Sequence, residues 1–120
     1  MDKVSIIVRT CGRPEVLRGA LESIRKQTYP DVETVVIEDG LEISRQMICT
    51  EYSDLQLRYI STGKRVGRAK AGNLGVKVAQ GKYLNFLDDD DVLYPEHIEI
   101  LLQTLQSAEE KAVYSVAEEA

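Results

Sequence analysis

Four consecutive aspartates, Asp88 to Asp91, follow the apolar run "YLNFL" and give way at once to "VLYP". Two carboxylates about 4 Å apart repel by roughly 1 kcal/mol in bulk water and by about 4 kcal/mol at an effective dielectric near 20. Such a run persists only where water screens it or a cation sits in it. Hard divalent cations such as Mg²⁺ and Mn²⁺ prefer carboxylate oxygen, and Mg²⁺ is commonly held by one or two carboxylates plus substrate phosphates. Asp88 and Asp90, one residue apart, can face the same way at a strand end and are the candidate metal ligands. Helix capping is the competing use of acids here, since Asp91 and Glu96 precede an apolar-periodic segment and would favour its positive end. One acid suffices for a cap, so Asp91 is assigned to it and Asp88 to Asp90 to a site.

A second acidic stretch, Glu38-Asp39-Gly40, ends another β-branched run. A strand-end acid can accept a hydrogen bond from a ribose hydroxyl or a base edge, or it can simply bond its own turn. Between these stretches "GKRVGRAK" places Lys64, Arg65, Arg68 and Lys70 around Gly67. Exposed loop cations are ordinarily only solvated, yet this segment leads into a helix whose N-terminus attracts anions, so Arg68 and Lys70 are candidate phosphate contacts. Related motifs fail. Gly67 to Gly72 has Walker A spacing, but Asn73-Leu74 replace the Lys and Ser/Thr of a P-loop. No GxGxxG follows the first apolar run, and an EF-hand would need a glycine and a distal glutamate that are missing. His97, the only histidine, is expected at the surface.

The elements that position these residues follow from the pattern. "VSIIV" (Val4 to Val8) reads as a strand covered on both faces, central in a parallel sheet. Val16, Leu17, Ala20, Leu21 and Ile24 recur at helical spacing after Pro14, which suits a first turn. Glu33 to Gly40 holds a second strand, "LEISRQMICTEYS" an irregular helix, and Leu55 to Ser61 a third strand. Ala71, Leu74, Gly75, Val78 and Ala79 share a helical face, with Gly81 as the expected C-cap. After the strand "YLNFL", a helix from Pro95 carries Ile98, Leu101, Leu102 and Leu105, and "KAVYSV" is read as a final short strand. This βα alternation implies an α/β fold, a three-layer Rossmann-like unit with a mostly parallel sheet and right-handed crossovers. Ligands of such sheets bind at the carboxyl ends of the strands, which gathers "RTCGR", "EDG" and "DDDD" on one edge.

Length and composition bound the rest. The 120 residues, 43% hydrophobic and 29% charged, suit one domain over 1–120 with no room for a second core. A net charge of −5 disfavours a nucleic-acid partner, which calls for a basic surface. No apolar run approaches the roughly 20 residues of a membrane span and "MDKVSIIV" lacks signal-peptide features, so a cytoplasmic location is expected. Cys11 and Cys49 are then expected as free thiols.

Together these residues resemble the nucleotide-binding half of a GT-A-fold glycosyltransferase of the large inverting family two. The likeness covers roughly Lys3 to Leu105. "VSIIVRTCGRPEVLRGALESIRKQTYPDVETVVIEDG" is similar to that family's opening strand, Thr-rich loop, "QTYP" turn and strand ending in two acids. "GRAKAGNLGVKVAQGKYLNFLDDDDVLYPEHIE" resembles its Asn-Leu-Gly helix and Asp-x-Asp strand end. The resemblance implies that Thr10, with Cys11, Gly12 and Arg13, contacts the nucleoside and that Asp39, flanked by Glu38 and Gly40, meets the base. It implies a diphosphate near Arg68, Lys70 and Asn73, and a Mn²⁺ or Mg²⁺ ion on Asp88 and Asp90, with Asp88 and Asp89 also reaching ribose or metal-bound water. The implied donor is a nucleoside-diphosphate sugar, UDP-linked by preference. The sequence departs from the pattern at Arg9, where proline is usual, at Cys11-Gly12, where an aromatic and asparagine are usual, and at Gly72, where a basic residue often precedes the asparagine.

The family's inverting reaction also needs a carboxylate base well downstream. After Asp91 only Glu96, Glu99, Glu109, Glu110, Glu118 and Glu119 remain, in positions unlike that motif. The acceptor half is therefore expected from a partner domain or a second copy, with a glycan, lipid or small molecule as acceptor. Two other readings stay open. A non-catalytic nucleotide-sugar-binding or docking module would keep the binding edge without a base, and a haloacid-dehalogenase-type phosphatase would use Asp88 as nucleophile and Asp90 as acid/base.

Overall fold

The computed structural model describes residues 2–107. In chain order they form β1 (Val4–Thr10), α1 (Pro14–Arg25), β2 (Val32–Glu38), α2 (Arg45–Glu51), β3 (Leu57–Ser61), α3 (Arg68–Val78), β4 (Tyr83–Asp88) and α4 (His97–Ser107). The strands make one parallel sheet in the order β3-β2-β1-β4. β1 lies inside it, paired with β2 from Val4↔Val32 to Thr10↔Glu38 and with β4 from Val4↔Tyr83 to Arg9↔Asp88. Because all four strands run the same way, Thr10, Glu38 and Asp88 finish at one edge.

The two-residue period of the strands sorts the core into two faces. Val4, Ile6, Val8 and Val36 pack with Leu17 and Leu21 of α1, Met47 of α2 and Ile98 and Leu102 of α4. Ile7, Val35 and Ile37 point the other way, against Ala71 with Leu74 and Val78 of α3. The three-layer α/β expectation holds. α3 lies close to the sheet because residue 75 is glycine: a Cβ there would stand 2.5 Å from Ile7 Cγ2.

Several sequence-based boundaries shift for identifiable reasons. β1 continues past Val8 because Arg9 and Thr10 keep pairing with Ile37 and Glu38. β3 begins at Leu57 rather than Leu55. α3 ends at Val78, and Ala79 is already extended at φ −66° and ψ 139°, so Gly81 is not its C-cap. Gly81 is needed instead for backbone approach to β1, since a Cβ would lie 2.6 Å from the Ser5 nitrogen and 2.9 Å from the Lys3 carbonyl oxygen. β4 is an edge strand of the described sheet with Phe86 exposed. Val16 is also exposed, although its neighbours Leu17, Ala20, Leu21 and Ile24 are buried as read. α4 starts at His97, not Pro95. His97 is half-buried rather than superficial, with Nε2 3.2 Å from Oδ1 of buried Asn85. "KAVYSV" lies outside the described residues. Cys11 and Cys49 are free thiols, and among the described residues no helix is long and apolar enough to cross a membrane.

Candidate functional site

Strand alternation divides the acidic run. Asp88, the last residue of β4, falls on the α3 face with Arg9, the adjacent residue of β1. It accepts hydrogen bonds from Arg9 Nη2 at 3.2 Å and from Arg68 Nη2 at 3.1 and 3.3 Å. Asp89 turns to the opposite face and is 3% exposed. It accepts from Thr10 Oγ1 at 2.8 Å and Arg13 Nε at 3.2 Å, with Arg13 Nη2 on its other oxygen. Forked guanidinium–carboxylate bonds of this kind are among the stronger polar contacts. The hydrogen bond to Asp89 and its charge hold the Arg13 guanidinium above its ordinary pKa.

The remaining acids form a turn. The Asp91 amide donates to the Asp88 carbonyl at 3.0 Å, and this folds the chain so that carboxylate oxygens of Asp88, Asp90 and Asp91 lie within 4.8 Å of one another. The cap assigned to Asp91 is therefore corrected: α4 begins only at His97, and Asp91 belongs to the acidic triad. Three hard oxygen donors on a half-open turn fit Mg²⁺ or Mn²⁺ and offer nothing to a soft metal.

Glu38 and Asp39 also diverge. Glu38 is fully buried. Its Oε1 accepts from the Ser44 amide at 2.8 Å and from the Tyr59 hydroxyl, and its Oε2 accepts from the Gly12 amide and the Ser44 hydroxyl, both at 3.1 Å. Burial, then the bond to Glu38, pushes the Tyr59 hydroxyl far up, so it stays a donor. With four protein donors and no place on the cavity wall, Glu38 ties the loops together, and the ligand contact expected of it is not available in this arrangement.

Asp39 points toward α3. Its oxygens accept from the Val66 amide at 2.7 Å and the Gly67 amide at 3.0 Å, and from the Thr62 hydroxyl at 3.2 Å. These bonds, the Val66 amide foremost, hold its carboxyl below the ordinary value of 3.8 against the opposing effect of burial. Gly67, at φ 98°, supplies the left-handed turn by which the 62–67 loop enters α3.

The strand ends enclose a cavity of about 390 Å³ lined by Arg9, Thr10, Cys11, Arg13, Asp39, Arg65, Arg68, Ala71, Asp88, Asp89 and Asp90. Four arginines face four aspartates there, so the wall is highly charged and nearly neutral in sum. A shallower pocket of about 250 Å³ adjoins it, sharing Cys11, Asp39 and Arg65 and adding Gly12, Gly40, Leu41, Ile43, Gly63 and Lys64. Leu41 and Ile43 are 68% and 53% exposed at its mouth. One end of the cleft is thus ionic and the other apolar.

Of the residues singled out in the sequence, Thr10, Cys11, Arg13, Asp39, Arg68 and Asp88 to Asp90 meet in the larger cavity, and Gly12 and Gly40 in the smaller. Lys70 and Asn73 line neither and are exposed; helical spacing turns them away from the side that presents Arg68 and Ala71. Sequence reasoning missed Arg9, Asp91, Leu41 and Ile43. For Arg9 a signal existed, because the alternation Ile7, Arg9 puts it on the face of α3.

The sequence model described as Glycosyl transferase family 2 matches residues 5–118. Glycosyltransferase GlyG of Streptococcus pneumoniae is 30% identical over 114 residues, which is 93% of this chain and 38% of that protein. An uncharacterized glycosyltransferase of Rickettsia felis is 40% identical over 107 residues, 87% of this chain and 17% of that one. Among solved structures, S. aureus TarS 1-349 in complex with UDP-GlcNAc superposes with a TM-score of 0.81 at 26% identity, over 88% of this chain and 31% of that chain. The chain therefore spans well under half the length of these relatives. Asp88 closes the fourth strand, where the phosphatase reading wants its nucleophile to open the fold, and that reading gives way to the family match.

Proposed function

This chain belongs to glycosyl transferase family 2, and from that premise we propose that its cleft binds the nucleoside diphosphate of a sugar nucleotide, UDP by preference, together with a divalent cation, as the donor-binding part of an inverting glycosyltransferase. The convergence of Thr10, Asp39 and the Asp88–Asp90 strand end on one cavity carries this reading. A diphosphate beside several aspartates is unfavourable unless cations offset them. Asp90, with Asp88 and Asp91, would hold Mn²⁺ or Mg²⁺, and such an ion when bound supplies Lewis-acid stabilisation of the departing nucleoside diphosphate. Arg68 stands at the N-terminus of α3, where its charge and the helix dipole both favour phosphate. Asp89, locked by Thr10 and Arg13, keeps the nucleoside loop against the strand end. The apolar pocket between Leu41, Ile43 and Asp39 suits a base, and the UDP-GlcNAc bound by TarS favours uracil.

In this reading the chain supplies the donor half. The acceptor wall and the base that deprotonates the acceptor hydroxyl come from a partner domain or a second copy, and the acceptor is a glycan, lipid or small molecule. A second reading, a nucleotide-sugar-binding module without transfer, uses the same cleft and needs no base. Titration calorimetry with UDP and GDP, in Mn²⁺ or Mg²⁺ and then in chelator, tests the site. Binding should need the metal. Equal affinity in chelator would remove the metal bridge, and no nucleotide binding under any condition would overturn the assignment. Release of sugar from bound UDP-sugars by the chain with an added acceptor half separates the enzyme from the module.

A further inference from the structure

Arg9 is the one charged residue of β1. It follows Ile7 on the α3 face at the cavity wall. Its guanidinium lies over the Phe86 ring, 5.4 Å from the centroid, and against Gly72, where a Cβ would stand 3.5 Å from Nη1. Nη2 donates to Asp88 at 3.2 Å, while Nε is buried without a hydrogen-bond partner. A buried N–H left unpaired is unfavourable and rare, and it calls for an account. Holding Asp88 does not supply one, because Arg68 already donates to the same carboxylate from α3. Arg9 is thus a cation fixed by packing, with donor capacity unused, in the wall of a cavity.

We propose that Arg9 is a phosphate-binding residue of this cleft, resting on Asp88 until an anion enters and held ready by Phe86 and Gly72. The proposal rests on the cleft being a metal–diphosphate site. A dication shared by Asp88, Asp90 and Asp91 competes with guanidinium for the lone pairs of Asp88. Arg68, whose side chain is 73% exposed, can turn to water; that of Arg9 is 24% exposed and cannot follow. The anion that accompanies the cation becomes its partner, and the planar guanidinium fork matches phosphate oxygens. Gly72 is part of the device, since a long side chain there would occupy the space in which the guanidinium lies.

Calorimetry on the wild type, Arg9→Gln, Arg9→Lys and Gly72→Leu tests this with three probes: MnCl₂ alone, MnCl₂ with pyrophosphate, and MnCl₂ with UDP. Arg9→Gln should bind Mn²⁺ as tightly as the wild type or more so, because a competitor for Asp88 is gone. It should bind metal–pyrophosphate and metal–UDP about tenfold or more weakly. Gly72→Leu, with Arg9 present but displaced, should repeat the loss, and Arg9→Lys should recover part of it. Thermal unfolding identifies any variant that fails to fold, and the folded ones then decide. Pyrophosphate affinity within about twofold of wild type in the folded variants would overturn the proposal and leave Arg9 as a mere partner of Asp88. A wild type that binds pyrophosphate but not UDP keeps the role of Arg9 and removes the nucleoside from the proposed function. Binding of neither overturns both.

Discussion

Asp88 and Asp89 are consecutive in the chain and serve opposite faces of the sheet, Asp88 bonded to Arg9 and Arg68 on the α3 side and Asp89 to Thr10 and Arg13 on the other. The strand period therefore separates two charges that the sequence places side by side, and each meets its own cations. Asp90 and Asp91 follow in the turn and join Asp88 in a triad. The run of four acids thus puts Asp89 alone on one face and gathers Asp88, Asp90 and Asp91 into a cluster that fits an ion.

That division makes the triad testable. Asp90→Asn and Asp91→Asn should each weaken Mn²⁺ binding by about tenfold, the scale of loss seen when a metal site's supporting groups are altered. Asp90→Asn should leave thermal melting unchanged, since Asp90 is an exposed residue of the turn that precedes α4. Mn²⁺ titration followed by electron paramagnetic resonance, with circular dichroism on the same samples, reads both. An Asp91→Asn variant that melts early yet binds Mn²⁺ normally would return Asp91 to the helix cap.

Glu38 and Asp39 should separate just as clearly. Glu38→Gln puts an NH₂ group among four donors in a fully buried place, and should cost about 1–3 kcal/mol by urea unfolding. Asp39→Asn likewise faces an amide group toward the Val66 or Gly67 N–H. Its signature lies in pH. The folded Asp39 carboxyl is depressed below 3.8, so its contribution to stability is complete above that value and is lost as pH falls through the lower folded pKa. The stability gap between wild type and Asp39→Asn should be full at neutral pH and narrow below 3.8; a gap that widens in acid would contradict the hydrogen-bond account.

Two glycines give opposite expectations for one added methyl. Gly81→Ala drives a Cβ to within 2.6 Å of the Ser5 nitrogen and 2.9 Å of the Lys3 oxygen, backbone atoms that cannot step aside, and should cost about 1–3 kcal/mol. Gly19, exposed within α1, has only Val92 Cγ1 at 4.0 Å. Gly19→Ala should stabilise by about 0.5–1 kcal/mol through helix propensity. Differential scanning calorimetry of the pair should show melting temperatures moving in opposite directions.

The sheet was legible because β-branched runs and turn residues are local signals. Val4 to Val8 could be read as a central strand from its own residues, and the carboxyl-end rule then brought Thr10, Asp39 and Asp88 together without any contact being known. What could not be read was the partner of each side chain. Glu38 and Asp39 look alike in sequence, and only their places at and after the end of β2 send one under the loops and the other toward Val66. Gly81 reads as a helix end because a glycine after an apolar face usually is one; the approach of Lys3 and Ser5, far away in sequence, decides otherwise. The distance from Asp91 to α4 is hidden in the same way, since it depends on how the 92–96 segment is spent. Strand alternation gives the face of Arg9, whereas its neighbours Phe86 and Gly72 are far away in sequence.

The apolar end of the cleft yields the last prediction. Leu41 and Ile43 are exposed side by side at the mouth of the smaller pocket, next to Asp39 and Arg65. Isolated apolar residues on a surface need no explanation, but two at one pocket whose other wall is ionic can sandwich a planar base. If they seat uracil, each loses water-exposed area on binding, at about 25 cal/mol per Å². Leu41→Ser with Ile43→Ser should then weaken UDP binding by roughly 1–2 kcal/mol on that scale. It should leave metal–pyrophosphate binding unchanged, because pyrophosphate ends short of the pocket. It should also leave unfolding unchanged, because neither side chain is in the core. Calorimetry with both ligands on the double variant checks all of this. An equal loss for UDP and pyrophosphate would mean that the 41–43 loop shapes the ionic cavity instead, and no loss for either would place the base elsewhere along the strand ends.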